Sequence, residues 1–156
     1  MTLNLNELAR GGTVCLSKAG VAIGGTTSKA RTNAPNGAGV DFAINGILYH
    51  VADADNNIVL TGDVQTALYT NVYLVCINSA NTITVVQGDE VLSASLTAGS
   101  APLHWPTPTV NTCPIGAIKV AAGAGAFTPG TTALTGGTVT VTYYDLFAVP
   151  ASPLTS

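Results

Sequence analysis

Tyr69–Gly88 reads YTNVYLVCINSANTITVVQG, and the fold class turns on its two apolar runs. Val72, Tyr73, Leu74, Val75, Cys76 and Ile77 form an unbroken run rich in β-branched and aromatic residues. Asn78-Ser79-Ala80-Asn81 interrupt it, and Thr82, Ile83, Thr84, Val85 and Val86 resume it. Two β-favouring runs joined by turn-forming residues predict a hairpin. Because the first run is apolar on both pleat faces, it predicts a central strand covered on both sides. Cys76 within it reads as a small buried hydrophobe.

Working outward, Val40–Ile44 and Ile47–Val51 flank Asn45-Gly46, the residue pair that a two-residue type I′ hairpin turn demands. Ala52–Asn57 predicts a turn, Ile58–Leu60 a short strand, and Asp63–Leu68 a turn or short helical connection. Leu92–Thr112 holds Pro102, Pro106 and Pro108, each lacking a ladder donor, and predicts a long surface excursion. Pro114–Ala121 predicts a strand with Ile115, Ala117 and Lys119 on one face. In Thr138–Val149, Val139, Val141, Tyr143, Phe147 and Val149 share one face and the threonines the other, the alternation of a half-buried strand. Seven or eight strands with turns between them and no long helix predict an all-β fold: an antiparallel β-sandwich or jelly-roll-like barrel.

Residues 1–39 are dominated by Gly, Thr, Ala, Ser and Asn. They read as an extended N-terminal arm preceding a β-sandwich domain over 40–156, with a packed first strand as the alternative. Within the arm, Thr13–Leu16 and Gly20–Ile23 are weak strand candidates, and Leu3–Ala9 a short amphipathic turn that orders on contact.

At 156 residues the chain is long enough to bury a core unaided, but only 8% of it is charged, against about 25% in typical globular domains. The net charge is −3, and the few charges are scattered, leaving no electrostatic footprint for nucleic acid or an anionic membrane. No apolar targeting core and no spanning stretch are legible. The polar surface must be Thr, Ser, Asn and Gly, groups that cost less to desolvate than charges. Such a surface suits a protein packed against neighbours, or a very soluble secreted domain using Thr in place of Lys.

Chemical sites find little support. Asp53-Ala54-Asp55-Asn56-Asn57 opens like a calcium loop, yet Ile58 and Val64 stand where that loop needs Gly and Glu, so a turn whose side chains bond their own backbone explains it better. The three cysteines, Cys15, Cys76 and Cys113, form no CxxC or Cys/His cluster, and no cofactor or metal is implied. No nucleophile–base signature accompanies His50 or His104, and the Gly pairs do not form phosphate loops, so no enzymatic activity is expected. Trp105, beside His104 in the Pro-rich stretch, reads as an anchor on the core or on a partner.

Taken together and in order, DFAINGILYHVADADNNIVLTG (41–62), YLVCINSANTITVVQG (73–88), CPIGAIKVAAGAGAFTPGTTAL (113–134) and TYYDLFAVP (142–150) resemble small virion structural proteins of tailed bacteriophages. The resemblance is to capsid decoration, or cement, proteins and related head components, and spans residues 40 to 150. It implies a non-enzymatic β-sandwich on the outer capsid surface, made in the host cytoplasm. There it would bridge neighbouring major capsid subunits as a homodimer or homotrimer. The implied partner contacts are Leu3, Leu5, Leu8, Arg10, Lys18 and Arg31 in the arm, with His104 and Trp105. The alternative is a head-fibre, tail-fibre or carbohydrate-binding host-recognition module, which would need an exposed aromatic platform.

Overall fold

A computed structural model describes residues 12–146. The fold is all-β: the described residues form ten strands, four of them only two residues long, and one short helix. In chain order they are β1 (Val14–Cys15), β2 (Ala22–Ile23), β3 (Ala30–Arg31), β4 (Val40–Ile44), β5 (Ile47–Val51), β6 (Tyr69–Asn78), β7 (Ile83–Gln87), β8 (Val91–Leu92), α1 (Ser93–Thr97), β9 (Thr112–Ala122) and β10 (Val139–Asp145). One antiparallel sheet has the order β1-β4-β5. The other runs β10-β9-β6-β7, with β8 beside β7 on the same edge of β6, and β2-β3 form a small ribbon.

The two sheets sandwich the main core. Tyr73, Val75 and Ile77 of β6 and Ile118 and Val120 of β9 meet Val40, Phe42 and Ile44 of β4 there. The other side of β6 carries Val72, Leu74 and Cys76, which pack in a second cluster with Leu96 of α1 and Leu103. The central strand is thus covered on both faces, as its unbroken apolar run predicts. Asn45 and Gly46 adopt φ of 53° and 82°, closing the β4–β5 hairpin with both central residues left-handed. The β6–β7 hairpin also forms, with Asn81 left-handed in its turn (φ 62°).

Several expectations are corrected. Residues 12–39 do not form an extended arm: Cys15, Ala19, Val21, Ala30 and Ala34 are buried in the domain. Alanine and glycine bury little area each, so the segment carries a weak hydrophobic signal while its bare backbone packs closely. At Gly20, for example, an added Cβ would collide with the Asn33 carbonyl. Ile58–Leu60 makes only an isolated bridge with Ala30, though Ile58 and Leu60 are buried. Of the two readings of Asp63–Leu68 the turn holds, closed by the Tyr69 N–H on the Thr66 carbonyl (3.3 Å), with Gln65 bridging to Phe127. Leu92–Thr112 is a cover as much as an excursion, since α1, Leu103 and Trp105 close the second face of β6. Ile115 and Ala117 point into opposite clusters, because Pro114 and Gly116 oppose the successive residues Cys76 and Val75, and Ile115 is the extra residue of that bulge. Phe147 and Val149 lie outside the described residues.

Two polar devices tie these pieces together. Asp53–Asn57 binds a distant backbone instead of its own. Asp55 Oδ1 accepts from the Gly25 N–H (2.9 Å), Asn56 Oδ1 from Thr26 (2.7 Å) and Asn57 Oδ1 from Thr32 (3.0 Å). The Asp53 carboxylate accepts from Ala34, both of its oxygens lying at 3.0 Å. The second device is Gln65, fully buried, whose Nε2 donates to the Tyr69 carbonyl (2.8 Å) and the Val120 carbonyl (2.9 Å) while Oε1 accepts from the Tyr73 hydroxyl (3.1 Å).

Asp53→Ala leaves the Ala34 N–H without its acceptor, and losing such a bond destabilises by about 1–3 kcal/mol. The expected outcome is a lower urea midpoint with faster proteolysis confined to residues 19–34. Unchanged cleavage there would show that the clamp does not hold this segment.

Candidate functional site

A groove of about 670 Å³ lies at one end of the sandwich. Its floor is apolar, with Leu74 from the outer face of β6, Val14 from β1 and Leu146 just past β10. One wall is the segment Trp105–Thr112, which includes Pro106 and Pro108, with Pro114 of β9 beside it in the lining. The rim is hydroxyl and amide, from Thr13, Thr107, Thr109, Thr112, Asn45 and Asn111. No acidic or basic side chain lines it among the described residues.

Local chemistry sets each wall. Asn111 takes a left-handed φ of 59°, which turns the chain from the loop into β9. Thr112 Oγ1 donates to the Thr109 carbonyl at 2.7 Å and fixes that turn. Asn45 Nδ2 lies 3.5 Å from Asn111 Oδ1, joining the β4–β5 turn to the same rim. Trp105 is half-buried and meets Tyr144 edge to face, with ring centroids 6.3 Å apart. Val110 beside it is 87% exposed.

Cys15 also reaches the groove lining, but none of the three thiols is poised for chemistry. All are free and buried. Burial pushes Cys15 up to about 11, slightly offset by a backbone hydrogen bond from Ser17. It likewise pushes Cys76 up to about 11 and Cys113 up to about 12. Such thiols stay protonated at neutral pH and are poor nucleophiles. Burial also pushes the Tyr73 phenol up to about 12.

The contacts expected from sequence do not converge. Trp105 lines the groove, whereas His104 next to it is exposed and outside the lining. Lys18 is exposed beyond β1 and Arg31 is half-buried on β3; neither lines the groove. Leu3, Leu5, Leu8 and Arg10 lie outside the described residues. His50 pairs with Asp41 on the cross-strand neighbour, Nδ1 to Oδ1 2.8 Å, at an exposed position. From sequence Asn45 reads only as a turn residue, and Asn111 and the rim threonines carry no expectation of a site. The signal available for them was the density of Pro and Thr across 106–112, which reads equally as an ordinary loop.

Comparison with family models, with curated proteins and with solved structures gives no match. What the groove does has to be argued from its own residues. An uncharged recess with apolar walls and a hydroxyl rim suits a neutral partner surface, because neither side must strip water from an ion on docking.

The thiols carry a pH prediction. A group whose pKa is raised on folding contributes stability that is whole below its unfolded value, near 9 for these thiols, and is lost as pH climbs towards 11 to 12. Stability is therefore expected to hold up to pH 9 and then fall, by about 1.4 kcal/mol per pH unit for each thiol. Urea midpoints between pH 7 and 11 measure this, and Cys113→Ala should flatten the alkaline slope. A thiol reagent should label no cysteine in the native protein at pH 8, and rapid native labelling of any one would contradict the burial.

Proposed function

We propose that the protein is a non-enzymatic virion structural protein, one that binds the outside of a phage capsid and stabilises it by bridging neighbouring major capsid subunits. The observation that carries this reading is the uncharged groove beside Trp105, set in a chain with very few charges anywhere. A shell-binding protein buries a large fraction of its small surface. Threonine, asparagine and proline can be buried at modest cost where Lys and Glu would each demand a partner. The protected thiols fit a part that binds and persists better than one that reacts.

The mechanism is mass action. A ligand that binds the assembled shell and not its separated subunits stabilises the shell by RT ln(1 + [L]/Kd), about 2.7 kcal/mol per site at a hundredfold excess over Kd. Many copies on one particle add these increments. The groove and the residues before Gly12 are the contacts this reading assigns to the major capsid protein, with Leu3, Leu5, Leu8 and Arg10 among them.

The host-recognition alternative is less well supported. It calls for flat, exposed aromatic rings, whereas Trp105 packs edge to face on Tyr144 and Tyr49 stacks on the buried Phe42 with centroids 5.6 Å apart.

Saturating matched mature capsids with the purified protein should raise their melting temperature. Val110→Lys, at a side chain that makes no core contact, should weaken capsid binding at least tenfold while leaving the protein's own melting unchanged. Capsids whose melting does not move at saturation would overturn the reading. A chain beginning at Gly12 keeps the described core intact. Full capsid affinity in that variant would remove Leu3, Leu5, Leu8 and Arg10 from the contact.

A further inference from the structure

Asparagine stands before glycine at two places in the chain, Asn36-Gly37 and Asn45-Gly46. Where the following residue has no side chain, its backbone nitrogen can approach the asparagine Cγ and close a five-membered ring. Both pairs are exposed, so sequence and exposure alone make them equally reactive. Their backbone settings differ. Asn45 and Gly46 are the left-handed centre of the β4–β5 hairpin, with Ile44 and Ile47 paired on either side. The Gly46 N–H donates to the Gly12 carbonyl (3.1 Å) and the Asn45 N–H to Thr13 Oγ1 (3.0 Å), which ties the turn to the segment before β1. Bringing the Asn45 Cγ over the Gly46 nitrogen means opening that hairpin. Asn36 instead lies in the loop between β3 and β4, where Pro35, Asn36, Gly37 and Ala38 are all exposed and outside any strand. Its turn is closed by one backbone bond, from the Gly37 N–H to the Ala34 carbonyl (2.9 Å), and a Cβ added at Gly37 would meet nothing within 4 Å. A loop with so few contacts opens locally at little cost in free energy. Asn36 Oδ1 also accepts from the Ala38 N–H at 3.0 Å, which folds the side chain over Gly37.

We propose that Asn36 is a site of spontaneous deamidation, the one of the two pairs that the fold leaves free to react, and that the reaction loosens the segment held by Asp53. Hydroxide or a buffer base takes the Gly37 amide proton, and the nitrogen attacks Asn36 Cγ. The Ala38 N–H stands on the oxygen that gains negative charge during this attack. The Cγ–Nδ2 bond then breaks and ammonia leaves with a proton from solvent, giving a succinimide. Water opens either carbonyl of that ring, to aspartate or to isoaspartate. Asparagine and water thus become the acid and ammonia, with no oxidation or reduction. Either product takes the net charge from −3 to −4. The isoaspartate has the larger consequence, because it routes the backbone through the former side chain and adds a methylene between residues 36 and 37. The Gly37 N–H then loses its present approach to the Ala34 carbonyl, and Ala34 is the residue whose own N–H the Asp53 carboxylate holds. Capsid binding plays no part in this inference.

Peptide mapping of the native chain aged in warm, mildly alkaline buffer should show conversion at residue 36 at least tenfold faster than at residue 45. In urea, where the fold no longer separates the two pairs, the rates should converge. Asn36→Gln, whose ring would need a sixth member, should stay unmodified at that position. The deamidated fraction, isolated from fresh protein by its extra charge, should be cleaved faster within residues 19–34. Asn36→Asp, which has the charge without the extra methylene, should be cleaved at the fresh rate. Native conversion at residue 45 as fast as at residue 36 overturns the site. So does a native chain that stays intact at residue 36 while the unfolded chain converts. A deamidated fraction cleaved no faster than fresh protein overturns the coupling to Asp53.

Discussion

The structure depends on one strand that water must not reach from either side. β6 is buried continuously from Thr70 to Ile77, and full burial of each large apolar side chain contributes about 1.5–3 kcal/mol. A strand apolar on both faces needs two covers. β4 and its neighbours supply one as a sheet; α1 and the Pro-rich segment supply the other from only a few residues. The remaining features follow from how those covers are attached.

The attachments are polar and mostly side chain to backbone. Segment 12–39 has too little apolar area to hold itself in place, and Asp53–Asn57 supplies acceptors for its N–H groups. A buried N–H without an acceptor is costly, so these bonds fix one path where packing alone would leave several. Gln65 does the same inside the core, joining Tyr69, Tyr73 and Val120. Both devices rest on single amide or carboxylate side chains, which is economical in a chain with so few charges.

The same economy shapes the surface. With few ions to repel unwanted neighbours, this protein presents a neutral groove at one end. Val14 contributes to its floor, and Asn45, in the β4–β5 turn, stands on its rim. The left-handed Asn45 of the β4–β5 turn thus fixes one corner of that groove.

Sequence alone determined the parts whose signal is local. The unbroken run from Val72 to Ile77 marked a strand covered on both faces, Asn45-Gly46 a hairpin, and the alternation seen in Val139–Asp145 a half-buried strand, because pleat and turn geometry act over two to four residues. Trp105 was legible as an anchor, though which surface it meets was not. Tertiary structure alone decided that residues 12–39 join the core, that Asp53–Asn57 clamps a segment some twenty to thirty residues away, and that Thr13, Asn45, Asn111 and Leu146 share one groove. Those outcomes come from small residues and polar side chains, whose partners lie far along the chain and whose composition would serve a loop equally well. Periodicity reports which way a side chain points; only the fold decides what it meets.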